Sequence, residues 1–520
     1  MEPILTCENT LRVRLDGEEA VVPFRPGETI LEALRGLTGA GIHAPCGGRG
    51  TCGKCTVFLR DEAGERAVLA CRTPARSGMC LRLPERSEDR VLTEGESAPV
   101  CPEEGLTGYG FACDIGTTTV ACQLVDLSDG QVLAGAGEGN AQRPFGGDVI
   151  SRISAWSEGH SGELTGAIRD QLGRMMDALC REKGVSPDRV RRVSVAANPT
   201  MCHLLAGLSP EGLGRAPFTP LSLFGTEDPA RALGLPFDAP VYLLPAVSAY
   251  IGGDITAGML AAGLDRGEEN VLLLDVGTNG ELVLSRGGEL FCCSCAAGPA
   301  FEGAEITFGM TAAPGAVSAV TLEGERAVCS VLGGGEAVGI CGSGLLDAVA
   351  VMLELGALEP SGRIPDPEED DDIPAAALPY LTEYGGESAF RLTEKVFVTQ
   401  RDVRKVQLGK AAVAAGVQVL LEQAGLEAGQ VARLLLAGGF GSFLRPESAA
   451  RVGLIPAELL PVTRGAGNTA LAGARMALVS GEARNRLGGM ADSARYFELS
   501  GLPAFNAAYV DEMAFPGEEE

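Results

Sequence analysis

Four cysteines fall in one early stretch of the chain, Cys46, Cys52, Cys55 and Cys71, spaced C-x5-C-x2-C with fifteen residues before the last. Four thiolates at such gaps hold a metal centre, and zinc or iron–sulfur chemistry suits the set. Between them runs CGGRGTCGKC. A loop wrapped around cluster sulfur needs tight turns and inward N–H groups, which glycine supplies. That composition favours [2Fe–2S] over a structural zinc site. A second chemistry is written twice. YGFACDIGTTT and NVLLLDVGTNGE each carry an apolar run, an aspartate and a Gly-Thr turn. The turn residues Gly116, Thr117, Thr118 and Thr119 in one copy, and Gly277, Thr278, Asn279 and Gly280 in the other, offer N–H and hydroxyl groups to anionic oxygens. Asp114 and Asp275 end their strands where a carboxylate holds Mg2+ directly or through water. One Asp-x-Gly-Thr is an ordinary tight turn; two with matching flanks are an internal repeat that can grip one polyphosphate from both sides. A third piece, LLLAGGFGSF, ends a strand on Gly438, Gly439 and Gly441, where glycine lets a nucleoside approach the backbone.

These residues need elements to hold them. Strand-like LRVRLDG and AVVPFRPG, a short helix in TILEALRGLTGAG, then KCTVFLR and ERAVLACR make a β-grasp module over residues 1–85. Residues 86–107 lose periodicity and become acidic and polar, which reads as a linker. Each copy of the aspartate hairpin opens an α/β lobe, 108–265 and 266–520. Within the second, RDVRKVQLGKAAVAAGVQVLLEQAG has helical period, with Val403, Val406, Ala411, Val413, Val417 and Leu420 facing the core, and Lys410 is read as a solvated lysine, although it could reach nucleotide. The fold expected is α+β followed by α/β.

Composition bounds the function. The chain has 520 residues, 45% hydrophobic and 21% charged, as for a folded globular protein. Its net charge of −27 opposes phosphate backbones, so a nucleic-acid partner is not expected. No run approaches the roughly 18 apolar residues of a membrane span. The start, MEPILTCENT, lacks a secretory pattern, so a cytoplasmic, reducing setting is expected, where cysteine means metal binding before disulfides. Only three histidines exist, so sulfur supplies the ligands. Of the 16 cysteines, the twelve outside the loop are read as small buried hydrophobes, including Cys292, Cys293 and Cys295 in CCSC, where a metal site or redox pair is the rival. Glu281 is read as an exposed strand residue, although it could orient a water. Asp148 and Arg152 form either a local cap and ion pair or part of a cleft wall.

The combination resembles a known family. DIGTTT, DVGTNGE, LLLAGGFGSF and ICGSGLLDAV are similar to the ATPase fold of acetate and sugar kinases, actin and heat-shock chaperones. Preceded by a [2Fe–2S] module, the chain resembles the reductive activators of corrinoid proteins, as do NAQRPFGGDVISRI, AANPTMCHLLAG, SCAAGPAFEGAEI and VTQRDVRKVQLGKAA. The resemblance implies an N-terminal β-grasp ferredoxin-like domain and a two-lobed actin-like ATPase with ribonuclease H-like lobes. It implies ATP and Mg2+ at Asp114 and Asp275, and a [2Fe–2S] cluster that reduces the Co(II) corrinoid of a partner methyltransferase-system protein to Co(I). It also implies a low-potential electron donor to the cluster, and it admits a homodimer. Such activators can carry a middle domain, for which about twenty linker residues leave no room here. The corrinoid itself is expected on the partner, because Met201 stands where the aspartate of a D-x-H-x-x-G motif belongs beside His203.

Three rivals share parts of this pattern. A small-molecule kinase shares the ATP fold but has no use for the cysteine loop. An electron-injecting activator of another metalloenzyme would hold its cluster between subunits. A chaperone-like ATP switch would carry zinc in place of iron.

Overall fold

The structure is a computed structural model that describes residues 9–15, 18–35, 42, 44, 46–50, 53–61, 64–83, 91–303 and 305–517. Cys52, one of the four loop cysteines, lies outside the described residues. The N-terminal module is a five-stranded sheet of β1 (Thr10–Leu15), β2 (Glu18–Pro23), β3 (Thr56–Asp61), β4 (Gly64–Leu69) and β5 (Cys80–Arg82), in the order β2-β1-β5-β3-β4. One face of it packs on α1 (Ile30–Arg35) through Leu11, Val13, Ile30, Leu31, Leu34, Val57 and Leu59. Glu32 starts that helix by accepting the Thr29 N–H at 2.6 Å, with the hydroxyl at 2.9 Å. Cys46 follows α1 and Cys55 directly precedes β3 along the chain, while Cys71 sits in the single turn after β4. The sheet thereby folds two distant cysteines together.

The two lobes repeat one topology. In the first, β6 (Tyr109–Ile115), β7 (Thr119–Asp126), β8 (Val132–Gly139), β9 (Val190–Ala197), β10 (Thr226–Pro229) and β11 (Pro240–Leu243) run in the order β10-β11-β9-β6-β7-β8. In the second lobe, a hairpin sequence of β12 (Val271–Val276), β13 (Gly280–Arg286) and β14 (Glu289–Cys295) takes the places of β6, β7 and β8. Small sheets of β15 (Ala316–Glu323), β16 (Arg326–Val331) and β17 (Gly339–Ile340), and of β18 (Leu381–Tyr384), β19 (Glu387–Arg391) and β20 (Phe397–Thr399), extend this lobe. The main sheet then closes with β21 (Arg433–Ala437), β22 (Thr463–Gly467) and β23 (Arg495–Phe497), giving β22-β21-β12-β13-β14-β23. The central strands β6 and β12 are apolar almost throughout because helices cover both faces of each sheet, which is why they read as runs and not as alternation.

Helices position the site by their first turns. In the first lobe these are α2 (Val149–Ala155), α3 (Ser161–Lys183), α4 (Pro199–Ala206) and α5 (Gly253–Ala262). In the second they include α6 (Gly342–Glu354), α7 (Gln400–Ala424), α8 (Gly438–Gly441), α9 (Pro446–Arg451) and α10 (Thr469–Val479). Asp148 caps α2, Asn198 caps α4 and Asn468 caps α10, each accepting a backbone N–H of the first turn. Between the lobes α5 and α10 cross closely, and a Cβ at Gly473 would collide with the Ala257 carbonyl.

The six core positions expected in α7 are buried, and a Thr399–Asp402 capping box starts the helix. Lys410 differs from the expectation of a solvated lysine. It is fully buried and donates to the Ala514 carbonyl at 2.5 Å, with Glu512 at 3.5 Å and the Phe515 ring beneath it. It fastens the C-terminal segment to α7 and is not among the residues around Asp114 and Asp275. Residues 91–107, the described part of the expected linker, pack on the lobes. Gly95 pairs with Gly467, the Ala98 N–H donates to Ala261 at 2.7 Å, and Glu103 meets Arg192 at 2.9 Å, so the segment straps both lobes. Cys292, Cys293 and Cys295 are buried in β14, as packing residues would be. Cys101 departs from that reading, because it is exposed.

Candidate functional site

The two hairpin turns face each other across a cavity of about 240 Å³. It is lined by Asp114, Gly116, Thr117, Thr118 and Thr119 from the first lobe, and by Asp275, Gly277, Thr278 and Asn279 from the second. Gly438 and Gly439 complete the wall. Gly280 and Gly441 lie behind it: Gly280 begins β13 and packs on Cys295, while Gly441 backs onto Leu436 and Val276. One carboxylate spans the gap. Thr118 Oγ1 donates to Glu302 at 2.6 Å and Thr278 Oγ1 donates to the same group at 3.0 Å. Thr117 is held from behind, its hydroxyl accepting the Asn198 amide at 3.1 Å and its carbonyl accepting Arg152 Nη2 at 2.5 Å.

Arg152 settles the alternative left open at 148–152. Asp148 is the cap of α2, and Arg152 is fully buried, reaching the Gly146 carbonyl, Gln142 and Met201 besides Thr117. Burial pulls its guanidinium down to about 9, with Arg143 adding to the effect. It stands under the first turn as fixed positive charge.

The carboxylates of the cavity are crowded. Burial raises Asp114 to about 6, against the pull of the Asn468 amide that donates to it at 2.8 Å. Asp275 is raised to about 7 by burial, then by Asp114 and Glu302. Asp254, at the start of α5, is raised to about 8 by burial, then by Asp275 and Asp114. Glu281 is not an exposed strand residue. It lines the same cavity and is pushed well up by burial, with Asp275 and Asp254 adding to it. Several acids competing to stay neutral in one cleft form the environment that a bound divalent cation relieves. Sequence reasoning missed Asp254, Glu302 and Asn468. The only local signals for them were a Gly-Gly-Asp ahead of a helical run, a Phe-Glu-Gly turn and a Gly-Asn-Thr helix start.

Beside Gly438 and Gly439 the rings of Phe301 and Phe440 stack with centroids 5.3 Å apart, an apolar wall suited to a planar base. Gly438 takes a φ of +82°, and a Cβ there would strike the Asp275 carboxylate. Val91 and Leu92 of the strap also line the cavity, and the Asn468 amide that holds Asp114 also donates to the Leu92 carbonyl at 3.2 Å.

In the N-terminal module Cys55 and Cys71 bring their sulfurs to 3.2 Å, and the Cys71 N–H points at the Cys55 sulfur at 3.5 Å. Gly47 and Gly48, at φ +64° and +93°, turn the chain around Cys46. Adjacent thiols with backbone N–H directed at sulfur fit a thiolate-held cluster. Cys46, Cys55 and Cys71 thus lie in one loop region, with Cys52 outside the described residues.

Fold and site together define an iron–sulfur module joined to a two-lobed, actin-like ATPase with a duplicated aspartate hairpin. A family model of the C-terminal ASKHA domain of RACo matches residues 269–520, one of the RACo middle region matches 109–267, and one of the 2Fe-2S iron–sulfur cluster binding domain matches 13–76. The chain is 32% identical over 580 aligned residues to the corrinoid activation enzyme RamQ of Eubacterium limosum, covering 94% of this chain and 96% of that protein. It is 25% identical over 445 residues to the [Co(II) methylated amine-specific corrinoid protein] reductase of Methanosarcina barkeri, covering 78% and 77%. The solved structure of a reductive activator for corrinoid, iron–sulfur protein superposes with a TM-score of 0.71 at 29% identity, over 98% of this chain and 99% of that one. The chain belongs to the family of RACo and RamQ, the corrinoid reductive activators. One expectation is corrected here. The middle region of that family is not missing, because its match is the first lobe itself.

Proposed function

We propose that the protein is an ATP-dependent reductive activator, delivering an electron through the centre held by Cys46, Cys52, Cys55 and Cys71 to the inactive Co(II) corrinoid of a methyltransferase-system partner, which returns to Co(I). The observation that carries this reading is the pairing, along one chain alignable almost end to end with RamQ, of the cysteine loop with a carboxylate cleft between duplicated lobes. A low-potential donor reloads the centre, and the reducing cytoplasm is the compartment that such chemistry requires. The bound cluster supplies one-electron chemistry at a potential near −400 mV for plant-type centres.

The residues divide the remaining work. Thr117, Thr118, Thr119, Thr278 and Asn279 offer donors to the polyphosphate from opposite sides, and Arg152 fixes positive charge behind Thr117. Asp114 and Asp275 would hold Mg2+, which would supply charge to the phosphates, and Asp254 and Glu281 would be placed to orient the attacking water or to take its proton. Phe301, Phe440, Gly438 and Gly439 receive the nucleoside. Phosphate between the turns competes with Glu302 for Thr118 and Thr278, so binding exchanges one bridge between the lobes for another. A redox gap of about 100–200 mV for one electron corresponds to roughly 2–5 kcal/mol, within what differential binding across a domain closure supplies.

The test mixes purified cluster-loaded protein, a low-potential reductant and corrinoid proteins encoded beside methyltransferases, and follows the cobalt spectrum. Formation of Co(I) that depends on ATP is expected. Equal Co(I) with and without ATP overturns the reading, and phosphoryl transfer to an added sugar or acid would make the protein a kinase.

A further inference from the structure

The N-terminal module touches both ATPase lobes, and it does so through residues next to the cysteines. On the first lobe, Arg35 at the end of α1 donates to the Pro144 carbonyl at 3.3 Å, approaches His160 Nε2 at 3.3 Å and lies over the Phe145 ring. The same guanidinium donates to the Gly47 carbonyl, one residue past Cys46, at 3.0 Å. On the second lobe, Lys54, next to Cys55, donates to the Gly309 carbonyl at 2.9 Å and reaches the Ile306 carbonyl at 3.5 Å.

Both landing strips lead into the phosphate turns. The residue after Phe145 is Gly146, whose carbonyl accepts Arg152 at 3.0 Å, and Arg152 holds Thr117. The strip at 306–309 lies between Glu302, which bridges Thr118 and Thr278, and Met310 and Thr311, which line the cavity. Nucleotide that displaces Glu302 from those hydroxyls changes how the lobes meet. A compact module anchored on two bodies that move relative to each other cannot keep both anchors unchanged.

We propose that Arg35 and Lys54 are positioning residues that seat the cysteine loop across the mouth of the nucleotide cleft, one on each lobe, so that nucleotide re-seats the module and sets how open the metal edge is to a partner. This rests on the reading of the cleft as the nucleotide site. By linkage, the seating in turn changes nucleotide affinity by the same factor.

The experiment uses the full-length, cluster-loaded protein and needs no corrinoid. The rate at which an iron chelator bleaches the visible absorption of the cluster is measured with and without a non-hydrolysable ATP analogue, beside calorimetric affinity for that analogue. In the unaltered protein the analogue is expected to change the bleaching rate about fivefold or more. Arg35→Gln with Lys54→Gln should abolish that dependence, Arg35→Lys with Lys54→Arg should restore part of it, and cluster content before chelation is the folding control. Should the double variant fail to load iron, His160→Ala, which lies outside the module, should halve or further reduce the nucleotide effect by loosening Arg35. A bleaching rate indifferent to bound analogue, or a dependence that survives both the double variant and His160→Ala, overturns the proposal. Absence of any nucleotide affinity overturns the site reading as well, which separates the two failures.

Discussion

Burial, with neighbouring carboxylates adding to it for the last two, pushes Asp114, Asp254 and Asp275 up to about 6, 8 and 7, above the usual carboxylate range near 3.9. A carboxyl whose folded value is raised binds more protons in the native state than in the unfolded one. Metal-free stability is therefore greatest below about pH 4 as far as these groups contribute, and falls as pH climbs through about 4 to 8. Mg2+ needs the ionised forms, so its affinity, read by calorimetry with the nucleotide analogue present, is expected to rise between about pH 6 and 8 and then level off. Flat affinity across that window would show that these acids do not hold the metal. Asp275→Asn is expected to lower ATP turnover on the order of 100-fold. Cys55→Ser or Cys71→Ser is expected to remove the visible cluster absorption while ATP binding persists. Of these residues, Asp114, Asp275 and the four cysteines stand out in the sequence because the chemistry expected of them is written in short spacings. Asp254, Glu302 and Asn468 were not, because each enters from a segment far along the chain and acquires its role only beside residues that it does not neighbour in sequence.

At the scale of elements, what matters is how strands end. Both aspartates sit where a buried central strand breaks into a turn, and the third glycine turn follows β21, the parallel neighbour of β12. Gly438 shows how little room is left. Its left-handed φ and the nearby Asp275 carboxylate predict that Gly438→Ala costs about 1–3 kcal/mol and abolishes nucleotide binding, measurable as a lowered melting temperature with no shift on adding analogue. Lys410 belongs to this scale too. The buried ammonium joins α7 to the Ala514 carbonyl, so Lys410→Ala is expected to cost about 2–4 kcal/mol by denaturant midpoint while the cluster spectrum stays as it is. The helical period of α7 was plain in the sequence. That Lys410 points inward was not, because a lysine on an amphipathic pattern gives no sign of a carbonyl waiting from a hundred residues away.

At the scale of the molecule, the charge of −27 constrains association. A corrinoid partner of the same sign must dock through a local patch, since the overall fields repel. Added salt screens that repulsion over about 10 Å at 0.1 M, so the association rate with an acidic partner is expected to rise with ionic strength in stopped flow. A steep fall would mean that opposite charges dominate the contact. Among the described residues no helix is long and apolar enough to cross a membrane.

The sequence by itself determined the parts: a cysteine loop with glycines, a hairpin repeated with its aspartate, a strand ending in glycine, and the periods of the helices between them. Such features are local, set by turn chemistry and by which side chains a strand or helix must bury. Only the tertiary structure decided the assembly. It laid residues 91–107 against both lobes, gave Glu302 to both lobes at once, crowded Asp114, Asp254, Asp275 and Glu281 into the same cleft and set Arg35 on one lobe and Lys54 on the other. Those relations depend on long-range packing between segments up to several hundred residues apart, and no spacing in the chain encodes a distance across a cleft.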